Sequence, residues 1–180
     1  MKPLARVITI LAAIILSGCS LFQWAMAGTT LSDANVLAML DIINLSEIDS
    51  ANLAKQKAST GEVKTFASLM LSEHTAMMQE TRRLAQKINV DPQTPVLASK
   101  IGKRHQETME ELRRMSGPDF DQVYLKSQIK MHEQAIDLVQ NTADTVHDRR
   151  LQHHLKGARQ DLITHLSTAN AIEHYVVAPY

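Results

Sequence analysis

The sequence predicts an all-α protein, a four-helix bundle made of two antiparallel hairpins. Three observations carry that expectation. Aromatic residues are 4% of the chain, and Gly and Pro number 6 and 5, whereas Ala, Leu and Met are plentiful. A β-sandwich needs more aromatic and turn-forming residues than that. Apolar residues recur at steps of three and four along nearly everything after Leu31, the period of helices that bury one face. The breaks between these stretches are few and short, and no run alternates as a strand does. At 180 residues the chain is long enough for one domain with a proper core.

The first thirty residues read as an address. Lys2 and Arg6 form a cationic start, Val7 to Leu16 an apolar core, and Leu16-Ser17-Gly18-Cys19 follows directly. This is the pattern of a bacterial lipoprotein leader, in which a small residue precedes a cysteine that is acylated before cleavage. Cys19 is the one cysteine in the sequence, so it reads as the lipidation site, and disulfides within the chain are excluded. Residues 1–18 are then a signal peptide, 19–30 a tether and 31–176 the bundle. Ser20 after the cysteine points to the outer membrane, with the bundle facing the periplasm. A simple secretory cut after Ala25-Met26-Ala27 is the alternative and would give a soluble periplasmic protein. An uncleaved anchor is a third reading, for which the apolar run is short. Loss of residues 1–18 leaves 17 basic against 19 acidic residues. With no basic run to track a phosphate backbone, the expected partner is a membrane, through the lipid, and not nucleic acid.

The first long helix is expected from about Ser32 to Ala58, with Leu40, Ile43, Glu47, Ala51, Ala54 and Ala58 inward. Ser59 followed by Glu62 has the form of a capping box that restarts the chain. The second helix runs to about Ile88, with Phe66, Met70, His74, Met77, Leu84 and Ile88 inward. Asn89 to Pro95 is a loop. Thr94-Pro95 reads as cap and first-turn proline of a shorter, strongly charged helix from about Val96 to Met115. Ser116-Gly117-Pro118 punctuates again. The third long helix spans Pro118 to about Val146, with Phe120, Tyr124, Gln128, His132, Ala135 and Val139 on one stripe. The fourth runs from near Asp148 to near Tyr175, with Leu151, Leu155, Ala158, Leu162, His165, Ala169 and Ile172 inward. Two tight hairpins joined by a long crossover with its own short helix make the topology used by ferritin-like folds.

Each long helix carries one ionisable residue near the middle of its apolar stripe: Glu47, His74, His132 and His165. Counted from the first turn near residue 60, Glu47 lies 13 back and His74 14 forward; counted from residue 147, His132 lies 15 back and His165 18 forward. At about 1.5 Å per residue these are nearly matched depths. Three imidazoles and a carboxylate at one level suit a transition metal, with Fe, Zn and Cu as candidates. Glu73, Tyr124, Gln128 and Asp161 stand close enough in sequence to serve as an outer shell that orients the ligands. No stripe histidine has a Glu three residues before it, which disfavours a carboxylate-bridged di-iron centre. Met70, Met77, Met78 and Met131 near the same level raise a copper reading, although Met is also common core filler. The plain alternative is a structural or interaction module in which the four residues form a buried hydrogen-bond network. His105, His147 and His174 read as surface or end positions, and His153 and His154 beside Arg149 and Arg150 as a solvated basic corner. No nucleophile triad, phosphate loop or Cys cluster appears, and the chain leans away from an enzyme.

The stretches SEIDSANLAKQKAS (46–59), EVKTFASLMLSEHT (62–75), FDQVYLKSQIKMHEQAIDLV (120–139) and LITHLSTA (162–169) resemble a ferritin-like "domain of unknown function" family of bacterial predicted outer-membrane and periplasmic proteins. The resemblance runs over most of residues 31–172. It implies a ferritin-like bundle, secreted or lipid-anchored, and supplies no activity. Glu73 stands where the family often has Asp.

Overall fold

A computed structural model describes residues 31–177. The expected signal peptide, the tether and Cys19 lie outside the described residues. Five helices form: α1 (Asp33–Lys57), α2 (Gly61–Ile88), α3 (Val96–Arg114), α4 (Gly117–Ala143) and α5 (Arg149–Val177). There is no strand among the described residues. Helices α1 and α2 pack along one another, as do α4 and α5. The two hairpins meet with α2 against α5 and α1 against α4, which closes a four-sided bundle. The crossover helix α3 lies against α1 and α4, and Ala98, Met109 and Leu112 are its buried contribution. No helix among the described residues is long and apolar enough to cross a membrane.

Helix α1 is buried on more than one side, since it touches α2, α3 and α4. Five consecutive residues, Val36 to Leu40, are accordingly buried, where an ordinary surface helix would bury a stripe. On α2 the expected stripe holds for Phe66, Met70 and His74, but beyond them Thr81 and Ala85 are buried while Met77, Leu84 and Ile88 are half-buried, as the 3.6-residue period carries the inward line round the helix. Helices α4 and α5 keep theirs more fully. On α4, Phe120, Tyr124, Gln128, His132, Ala135 and Val139 are all buried; on α5 the same holds for Leu151, Leu155, Ala158, Leu162, His165 and Ala169.

The caps differ from expectation in three places. The N-cap of α2 is Thr60, whose Oγ1 accepts from Val63 N at 3.4 Å. Ser59 is drawn off because Asp121 of α4 takes its N–H at 2.8 Å, its hydroxyl at 2.7 Å and the Thr60 N–H at 2.9 Å. Before α3 the cap position falls on Pro95 with no side-chain bond. Helix α4 starts at Gly117, whose φ of +59° suits a residue without a Cβ, and stops at Ala143, three residues short of Val146.

Other long-range bonds set the ends of the bundle. Asp33 accepts from His147 N at 2.8 Å and Asp148 N at 2.9 Å. The α4–α5 turn is thus tied to α1, as Asp121 ties the α1–α2 turn to α4. Lys57 Nζ donates to the Leu112 and Arg113 carbonyls at 3.0 and 2.6 Å, covering orphan acceptors at the end of α3. Asn89 takes the left-handed conformation at the end of α2, and Val90 N then reaches Ala85 O at 3.0 Å.

Candidate metal centre

His74 on α2, His132 on α4 and His165 on α5 are buried at one level of the bundle. Their ring centroids stand 5.1–5.5 Å apart. Each ring offers a nitrogen such that the three nitrogens lie within 4.8 Å of one another. The measured pair, His132 Nε2 and His165 Nδ1, is 3.3 Å apart.

The far edge of each ring is held by an acceptor. His74 Nδ1 lies 2.9 Å from Asn44 Oδ1. His132 Nδ1 lies 2.8 Å from the Gln128 carbonyl oxygen. His165 Nε2 bonds the Glu73 carboxylate. A neutral imidazole has one proton, and these partners draw it to the outer edge. His74 Nε2, His132 Nε2 and His165 Nδ1 are left as lone pairs. His74 Nε2 is buried with no partner among the described residues, and the 3.3 Å approach sets the other two lone pairs against each other.

Protonation does not relieve this crowding near neutral pH. Burial holds His74 well below its ordinary value, and the neighbouring His132 and His165 lower it further. Burial brings His132 down to about 4. It also lowers His165, against the upward pull of the Glu73 hydrogen bond. Three neutral imidazoles with convergent lone pairs are a donor set for a transition metal, and acceptors on their outer nitrogens are what such sites use to orient ligands.

Glu47 is buried beside this group and lies behind His132. Its Oε1 is 3.6 Å from His132 Nδ1, the nitrogen on the ring edge away from His165. Its Oε2 accepts from Gln128 Nε2 at 2.8 Å, and the same amide reaches Ser50 Oγ at 3.3 Å. Burial raises the Glu47 carboxyl to about 7, with the Gln128 bond acting against the rise. The Tyr124 hydroxyl and Gln128 Oε1 are buried with no hydrogen-bond partner among the described residues. Burial first, and the Glu47 charge second, push the Tyr124 phenol well up.

Of the other residues expected around the site, Glu73 is in contact, through His165 and not through its sequence neighbour His74. Asp161 is exposed, and its charge bears on His154. The inward line of α5 passes through Leu162, and Asp161 sits about 100° round the helix from it.

The family model described as "Domain of unknown function (DUF4142)" matches residues 22–172. The chain belongs to the DUF4142 family. No curated protein matches it. Among solved structures, it is similar to one described as "CopM in the Cu(II)-bound form", with a TM-score of 0.64 and 13% identity over 82% of this chain and 99% of that one. At that identity the likeness speaks for the helical-bundle fold.

This DUF4142 chain also has site residues that the sequence pattern did not single out. Asn44 holds His74 yet looked like one more polar residue on α1. His154 is half-buried and its Nε2 lies 2.9 Å from Thr81 Oγ1, so it is no solvated corner. His105 is also partly buried, 3.0 Å from Asp49 Oδ2. The signal for His154 was present: it follows Leu151 by three residues and precedes Leu155 by one, at the edge of the buried stripe.

Proposed function

We propose that this protein is a lipid-anchored, ferritin-like bundle of the bacterial cell envelope that holds one copper ion between His74, His132 and His165. The observation that carries the reading is the convergence of three lone pairs in the core, with His74 Nε2 left without a partner among the described residues. Asn44, the Gln128 carbonyl and Glu73 set the rings. Glu47, a ligand by helical depth, takes the part of a buried carboxyl behind His132. A bound cation supplies the charge on which all three lone pairs can bond.

Copper is favoured over zinc and iron on two grounds. Met70 lies one turn before His74 on the buried stripe of α2, and a thioether is a soft donor suited to copper. The structurally similar CopM is described in a Cu(II)-bound form. The envelope location and outer-membrane anchor rest on the leader pattern ending at Cys19; the soluble periplasmic alternative rests on the cut after Ala27.

A closed hydrogen-bond network is the other use of these residues. Such a network satisfies its members, and His74 Nε2, the Tyr124 hydroxyl and Gln128 Oε1 have no partner among the described residues.

Elemental analysis of copper-exposed protein purified without a His tag tests the centre. One copper per chain is expected in the wild type, and loss of it in His132→Ala with helicity retained. A copper-free wild type, or a variant with undiminished copper, overturns the reading. Cell fractionation tests the anchor: Cys19→Ala is expected to move the protein out of the membrane fraction, and its retention there sinks the lipid attachment.

A further inference from the structure

We propose that metal reaches the triad through the small cavity next to it, with Met77 and His154 as transient ligands on the way. The inference rests on the triad being a metal site. Moving from the triad towards the α4–α5 turn, the next inward residues are Asn44, three before Glu47, and Met77, three after His74. Beside them come Ala135, three after His132, and Leu162, three before His165. All four line one small, partly open cavity of about 10 Å³, which His154 and Thr81 also line. That is room for about one water-sized guest. Asn44 is the residue that holds His74, so a single side chain separates the inner end of the cavity from the triad. Met77 and His154 are half-buried and form its outer side.

The donor chemistry of that outer side fits a metal in passage. The Thr81 hydroxyl donates to the Met77 carbonyl at 2.9 Å. With that proton committed, the His154–Thr81 contact of 2.9 Å must run from His154 Nε2–H to Thr81 Oγ1. His154 therefore keeps a lone pair on Nδ1, and burial lowers its pKa so that the ring stays neutral. The remaining lining is largely apolar. In such a wall, a neutral imidazole and a flexible thioether are the two groups a soft cation can step across.

The other way in is past Glu73, whose side chain is 43% exposed. That carboxylate holds the Nε2–H edge of His165. A cation arriving there meets a protonated nitrogen with no lone pair to accept it. The cavity instead borders the group that leaves His74 Nε2 free.

Stopped-flow transfer of Cu(I) from a chromogenic chelator to the full-length protein separates the two routes. Met77→Leu and His154→Gln, both close in size to the native residue, are expected to slow uptake and release alike by roughly tenfold. The equilibrium affinity and stoichiometry stay as in the wild type, because neither residue belongs to the final site. Wild-type rates in both variants overturn the route. So does slowing by Glu73→Gln alone. A loss of affinity that matches the slowing marks the two residues as ligands of the resting site, which also overturns it. Absence of Cu(I) uptake by the wild type removes the triad reading itself, and is told apart from the other outcomes by that control.

Discussion

Two fully buried acids, Asp121 and Glu47, sit on facing helices of the same bundle and are treated in opposite ways. Asp121 receives three donors, the Ser59 N–H, the Ser59 hydroxyl and the Thr60 N–H, at 2.7–2.9 Å. Glu47 receives one good hydrogen bond, from Gln128 at 2.8 Å. The His132 ring that stands 3.6 Å from it gives its proton to a carbonyl instead. Burial then carries Glu47 to about 7. Where the fold needs a charge to join its hairpins, it surrounds that charge with N–H and O–H groups. Around the histidines it does the reverse, and leaves acceptors facing acceptors. Such a layer costs stability in the bare protein, and in the function proposed above a cation offsets that cost.

Removing the satisfied acid has the largest expected effect. Asp121→Ala takes the carboxylate acceptor away from the Ser59 and Thr60 N–H groups at the start of α2 and cuts the tie between the α1–α2 turn and α4. The loss is about 3–4 kcal/mol, read as a lower urea midpoint with unchanged slope. Copper stoichiometry, measured below the unfolding transition, stays as in the wild type. An Asp121→Ala protein as stable as the parent places Asp121 in the same class as Glu47 and ends the contrast.

Acid probes the unsatisfied side. His74, His132 and His165 all have folded values below the ordinary 6.5, so the unfolded chain takes up protons first as pH falls. The contribution of the neutral rings is whole above about 6.5 and is lost on the way down to about 4, where folded His132 titrates. At about 1.4 kcal/mol per unit, His132 alone accounts for a loss on the order of 3 kcal/mol. Glu47 runs the other way between 4.5 and about 7 and offsets part of this, but three rings outweigh one carboxyl. The metal-free protein should therefore show a falling urea midpoint between pH 6.5 and 4. A level or rising midpoint means the rings are not held neutral by burial.

Much of this architecture was legible because helices report depth. Counting residues from a tight turn fixes the level of a side chain along an antiparallel pair, and that arithmetic brings His74, His132 and His165 together. Depth says less about rotation. Asp161 is at a suitable level but faces solvent, and Asn44, three residues from Glu47, is the one that meets His74. Local capping rules failed for a related reason. Ser59 and Thr60 are adjacent and both can cap, and the choice is made by Asp121, some sixty residues away along the chain. The basic sequence neighbours of His154 suggest a solvated corner, whereas its position beside Leu155 on α5 sets its burial.

The finest test of the contrast exchanges one atom of the unsatisfied acid. Glu47→Gln keeps the shape of the side chain, and its carbonyl oxygen can still accept from Gln128 Nε2. What it removes is the ability to ionise. Folding raises the Glu47 carboxyl from 4.5 to about 7, so between those values the folded state holds a proton that the unfolded state has lost. That opposes unfolding less and less as pH rises, until above 7 the folded protein carries a poorly solvated carboxylate. Glutamine escapes this. The variant should match the wild type near pH 4.5 and exceed it increasingly up to pH 8, by about 1–2 kcal/mol after allowance for imperfect packing of the amide. Urea midpoints of the two metal-free proteins across that range give the answer. A difference that stays flat with pH, or a variant weaker at pH 8 than at pH 5, shows that Glu47 is as well served by its surroundings as Asp121.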